Sequence, residues 1–148
     1  MSTIFEFSAT FCAGIFAGAA TYVTLVEHPA RMECGTALAV AEFGPSYRRA
    51  TVLQALLAIL AFVASVTEWW LGAGVWWLVG AVVILAVIPF TLIVILPTNK
   101  KLLDPSLNRS SEAAHQLLIR WGKLHAVRTI LSLAAFVVFL LATALADR

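Results

Sequence analysis

The chain has 148 residues, enough for one domain; 61% of them are hydrophobic and 12% are charged. A soluble domain carries about 45–50% apolar and about 25% charged residues, so this composition, with mean hydropathy +0.94, excludes an ordinary soluble fold. The formal net charge of +2 says little by itself, and no nucleic-acid motif, internal repeat or low-complexity tract occurs.

The first predicted span covers residues 4–26 and contains Gly14 and Gly18, a small-xxx-small spacing that lets helices approach closely. Packing within the chain is the simpler use of that spacing; a homo-oligomer contact is the alternative. The segment lacks the basic n-region of a secretion signal and carries Glu6 instead, so it is expected to be retained. Pro29 cannot continue the helix comfortably, which puts Glu27 and His28 at its C-terminal end. Residues 29–46 read as a connection, with a short interfacial helix over 32–43 and a turn at Gly44-Pro45. Cys12 lies mid-helix and Cys34 beyond the helix end, too far apart for a disulfide.

The second span is expected over 48–70, entered by Tyr47, Thr51 and Gln54 at i, i+4, i+7, with Arg48 and Arg49 at the boundary. Gly72-Ala-Gly74, flanked by Trp69, Trp70, Trp76 and Trp77, reads as a tight hairpin in an aromatic interface belt. The third span, 75–96, contains Pro89, which should kink it, with Thr91 available to satisfy a freed carbonyl. It ends at Pro97-Thr-Asn-Lys-Lys-Leu102. After a connection over 103–120, the fourth span covers 122–146, the end of a longer helix starting near Ser110-Ser111-Glu112, with Gly122 as its bending point.

Each span is long enough for the roughly 30 Å hydrocarbon core. The expected fold is therefore all-α: an integral membrane four-helix bundle over 1–148, with a short interfacial helix in the first loop and an extended fourth helix. Four crossings put both termini and the Trp hairpin on one side. On the other lie nine of the ten Lys/Arg residues, Arg148 being the exception. The positive-inside rule makes that side cytoplasmic and both termini external.

Four helix ends converge there. Trp121, His125, Arg128 and Ser132 share one helical face and enter an uncharged run, where a charge costs several kcal/mol (about 2.5–3.5 on insertion scales) unless it is partnered. Glu27, His28, Tyr47, Arg48, Gln54 and Asn99 are the partners at hand. Arg49, Lys101, Arg109 and Lys123 read as solvated boundary residues. A purely architectural network, with Glu27 pairing Arg128 for example, is one account of the cluster. The other is chemical. A histidine can exchange a proton near neutral pH, an arginine or asparagine can hold a developing oxyanion, and aromatic walls suit a flat apolar substrate from the bilayer. A metal site is the weaker reading, since no H-x-x-H spacing occurs. Haem held by His28 and His125 stays open, as does a quinone-binding electron-transfer module or a non-enzymatic membrane protein.

Glu27-His-Pro-Ala-Arg31, Tyr47-Arg-Arg-Ala50, Pro97-Thr-Asn-Lys-Lys-Leu102 and the stretch from Trp121 to Arg128 together resemble the pattern of the anthrone-oxygenase-like family of small four-helix membrane proteins. That resemblance implies four transmembrane helices. In fungal polyketide-pathway members it implies oxidation of an anthrone to an anthraquinone by O₂ without an added cofactor. Carried over by position, His28, Asn99, Trp121, His125 and Arg128 would form the site. The expected function is a cofactor-independent membrane oxygenase acting on a small lipophilic aromatic or phenolic compound. His28, His125 and Arg128 would be catalytic; Glu27, Tyr47, Arg48, Gln54, Asn99 and Trp121 would bind substrate.

Overall fold

The computed structural model describes residues 2–146. Four long helices account for nearly all of them. Helix α1 runs from Ser2 to Glu33 in three parts, an α-helix Ser2–Tyr22, a π-helical turn Val23–Glu27 and a short α-helix His28–Glu33. Helix α2 is Thr36–Trp70, and α4 is Glu112–Ala146. Helix α3 repeats the construction of α1, with α-helix Val75–Phe90, π turn Thr91–Ile95 and α-helix Leu96–Leu102. All four are long and apolar enough to cross a membrane, and the chain is an all-α, integral membrane four-helix bundle.

Each helix packs on its sequence neighbours, and α4 closes the ring against α1. Alanines make the close approach possible. Ala9, Ala13, Ala17 and Ala20 bury one stripe of α1, and Ala58, Ala61 and Ala64 do the same on α2. Gly14 faces the ring of Phe136, so half of the small-residue spacing serves packing within the chain, whereas Gly18 faces open space. Cys12 and Cys34 are free.

Three local expectations change. The first helix does not end before Pro29. The π turn lets the His28 N–H bond to the Val23 carbonyl, and the wider turn accommodates the proline that follows. The same device precedes Pro97, where the Leu96 N–H bonds to the Thr91 carbonyl. There is no separate interfacial helix in the first connection and no turn at Gly44-Pro45. Residues 36–46 are the opening turns of α2, which runs through Pro45 unbroken. The chain reverses earlier, at Gly35, whose φ of +89° is left-handed and suits glycine. Helix α4 runs unbroken from Glu112 through Gly122 to Ala146, the extended fourth helix that was expected. Near Pro89, the Thr91 hydroxyl does donate to a carbonyl, that of Val87 at 2.7 Å.

At the hairpin, Gly72 and Gly74 both have positive φ. Trp69, Trp70 and Trp76 are exposed as an interface belt requires, but Trp77 is buried and stacks on Phe139 at 5.6 Å between ring centres. The second connection closes with Ser111 capping α4, its hydroxyl accepting from the Ala114 N–H at 3.2 Å. Arg148 lies outside the described residues.

Candidate functional site

The buried side chains form two clusters, one toward the Trp hairpin around Ala9, Ala61, Trp77 and Phe139, the other toward the loop side around Phe43, Ile95, Leu118 and Trp121. Between them lies a cavity of about 140 Å³ reached by all four helices. Its walls are largely apolar (Phe16, Val23, Phe43, Ala58, Val87 and Ile95 among them), and its polar groups include Tyr47, Gln54, Asn99, His125, Arg128 and Arg31, with the hydroxyls of Ser46, Thr51 and Thr91.

Helical register explains which residues arrive there. Val23 and Arg31 both line the cavity although they are eight apart, where an uninterrupted α-helix would align Val23 with residue 30, two turns on. The π turn inserts one residue and rotates everything after it by about 100°. Thr91 and Asn99 stand in the same relation across the second π turn. A one-residue insertion thus sets the aim of one side chain on each of two helices.

His125 is 3% exposed, with Nδ1 2.9 Å from Thr24 Oγ1. Thr24 Oγ1 is in turn 2.8 Å from Thr129 Oγ1, whose hydroxyl reaches the carbonyls of Ala20 and His125, each at 3.1 Å. Trp121 stacks on His125 with ring centres 4.7 Å apart and meets Phe43 edge-on at 5.3 Å. Tyr47 stacks on Phe43 at 5.8 Å. The Arg128 guanidinium lies 5.1 Å from the Phe16 ring centre and makes no ion pair among the described residues. Gln54 and Asn99 are 2% and 1% exposed, and their carbonyl oxygens Oε1 and Oδ1 have no hydrogen-bond partner. A buried polar atom left without a partner costs about 1–3 kcal/mol, so these two carbonyls are free to accept from a donor in the cavity.

Of the nine residues expected in the site, six line the cavity: Tyr47, Gln54, Asn99, Trp121, His125 and Arg128. His28, Glu27 and Arg48 do not. His28 stands behind Trp121, ring centres 5.1 Å apart, with its Nε2 against Gly122. Glu27 is paired with Arg31, not Arg128, and accepts from Ser46 at 2.6 Å. His115 is 3.3 Å from Thr36 Oγ1, outside the cavity. The two imidazoles His28 and His125 do not face one space, so this arrangement does not fit bis-histidine haem ligation. Among the described residues, no group of three His, Cys, Asp or Glu side chains is placed to hold a metal ion.

Arg31 is the residue that sequence reasoning left among the loop cations. It is 6% exposed, ion-paired with Glu27 and with Glu42 at 2.8 Å, and lies 5.6 Å from the Trp121 ring centre. Two carboxylates neutralise it, which leaves Arg128 as the uncompensated cation of the cavity among the described residues. Thr24 and Thr129 were also passed over, although Thr129 is one turn from His125. Glu68 is fully buried near the hairpin and does not line the cavity.

The walls are thinnest on one side. Thr51 and Ala55 of α2 and Leu92 of α3 line the cavity and are also exposed on the outer surface. The cavity therefore opens sideways between α2 and α3, within the apolar part of the bundle.

Fold and site together define a small integral membrane helical bundle with a laterally open, mostly apolar chamber that holds a histidine and an arginine. The anthrone oxygenase family model matches residues 43–138, and the chain belongs to that family. Anthrone oxygenase tpcL of Aspergillus fumigatus is 33% identical to it over 78 residues, covering 51% of this chain and 48% of that protein. The chain thus spans about half the length of the curated relative it matches. No solved structure matches it.

Proposed function

We propose that this protein is a membrane oxygenase that uses O₂ to oxidise an activated C–H position of a small lipophilic, phenolic, anthrone-like aromatic, without a resident cofactor. The observation that carries this reading is the shared cavity of His125 and Arg128, where a proton acceptor faces an uncompensated cation among apolar walls. Family membership and the relative's name supply the reaction class.

His125 removes the acidic proton, and Arg128 with the Asn99 side chain stabilises the enolate that forms. The enolate transfers one electron to O₂, and the resulting radical and superoxide combine into a carbon-bound peroxide. The imidazolium protonates the peroxide. Loss of the second C–H proton and cleavage of the O–O bond then leave a carbonyl and water, so one oxygen atom enters product and the other enters water. A cavity near 150 Å³ holds about one benzene ring. A tricyclic anthrone carries its reactive CH₂ on the central ring, so it would turn that edge toward His125, with its flanking rings reaching into the gap between α2 and α3. Entry from the bilayer follows from the same gap.

The orientation belongs to this reading. Arg31 and Arg128 point into the bundle and cannot act as topogenic charges. Arg48, Arg49, Lys100, Lys101, Arg109, Arg120 and Lys123 still lie at the loop end, which supports a cytoplasmic placement of that end.

The test is O₂ uptake by the purified protein with a panel of anthrones, product being followed as the quinone. Turnover that requires His125 supports the proposal. An inactive wild type with an intact fold, or turnover unchanged in His125→Gln, overturns it.

A further inference from the structure

The contacts around His125 form a closed chain that runs from Nδ1 to Thr24 Oγ1 at 2.9 Å, on to Thr129 Oγ1 at 2.8 Å, and on to the Ala20 carbonyl at 3.1 Å. A neutral imidazole carries one proton on either ring nitrogen, and each threonine hydroxyl carries one. The Ala20 carbonyl can only accept.

Two polarities are conceivable. If the protons run away from the ring, Nδ1–H donates to Thr24, Thr24 donates to Thr129, and Thr129 donates to Ala20. All three contacts are then filled. If they run toward the ring, Thr129 donates to Thr24 and Thr24 to Nδ1. The Ala20 contact then has no proton, and an Nε2–H with no protein partner among the described residues faces the cavity. A mixed arrangement, with Thr129 donating to Ala20 and Thr24 to Nδ1, leaves two oxygens 2.8 Å apart with no proton between them. The outward polarity makes one more hydrogen bond than either alternative.

We infer that Thr24 and Thr129 are positioning residues that fix His125 as its Nδ1–H tautomer and so present a bare Nε2 lone pair to the cavity. This deepens the reading of His125 as the general base, on which its functional meaning rests. A base must arrive unprotonated at the nitrogen that faces substrate, and two hydroxyls anchored on a helix carbonyl achieve this without a carboxylate. The relay also crosses helices, joining α1 to α4 at the height of the first π turn.

The test is ¹⁵N NMR of histidine-labelled protein in a membrane mimetic near neutral pH, the His125 resonances being those that vanish in His125→Gln. A protonated, pyrrole-type Nδ1 with a bare, pyridine-type Nε2 supports the inference. The opposite pattern, or a doubly protonated ring, overturns it, and neither outcome depends on turnover being found. Thr129→Val takes away the acceptor for the Thr24 proton, so the tautomer should invert to Nε2–H, while Thr129→Ser should keep the wild-type pattern. A tautomer unmoved in Thr129→Val would overturn the relay; the wild-type spectrum decides the tautomer even if that variant does not fold.

Discussion

The imidazole of His28 rests directly on Gly122, where an added Cβ would come within 2.5 Å of Nε2 and 2.7 Å of Cδ2. Glycine here is a matter of space, because the helix passes through it regularly. Gly122→Ala should force the ring away from α4 and disturb Trp121, its neighbour. Overpacking of this kind costs about 1–3 kcal/mol. Thermal unfolding in detergent should show that loss, and much of it should disappear in the His28→Ala background, where the ring is gone.

The two histidines should separate cleanly in activity. His125→Gln should lower turnover by about 10²–10⁴-fold, the usual worth of a general base. His28→Ala should leave turnover within about tenfold of wild type, because the ring touches the back of Trp121 and does not line the cavity. Steady-state O₂ uptake on both variants checks this, and equal losses would place His28 in the chemistry after all.

Arg128→Met should act in opposite senses on function and stability. The guanidinium faces the cavity without an acid among the described residues, so its removal relieves a poorly compensated charge. The unfolding midpoint should hold or rise. Turnover should fall by about 10²–10³-fold, as for loss of one oxyanion donor. Arg31→Met should instead lower the midpoint, since it leaves the half-buried Glu27 without its cation.

Blocking the side opening should tell a lateral route from an axial one. Leu92→Trp or Ala55→Trp fills the gap between α2 and α3 and should lower kcat/KM for a tricyclic substrate by about tenfold, roughly 1.4 kcal/mol of barrier. Ile93→Trp, on a lipid-exposed position that does not line the cavity, is the control and should change little. Equal effects of the two substitutions would argue against a lateral route.

How much was legible beforehand differs from one residue to another. Long uncharged runs over 7–26, 50–67, 69–99 and 129–146 are enough to specify four crossings, because a helix in lipid must be about twenty apolar residues long whatever surrounds it. The stripe of Trp121, His125 and Arg128 was legible too, since α4 is regular there and 3.6-residue periodicity holds. Tertiary structure decided what lies opposite that stripe. The π turns at Val23–Glu27 and Thr91–Ile95 rotate the ends of α1 and α3 by a residue. Arg31 thereby comes to the cavity, and His28 goes to Gly122. Pro29 and Pro97 announce a disturbed helix, but whether the chain breaks, kinks or widens depends on the neighbours that reward each outcome. The i,i+4 spacing of Glu27 and Arg31 is local, but the second acid, Glu42, comes from the next helix. The threonine relay on His125 joins helices distant in sequence, and no local pattern encodes it.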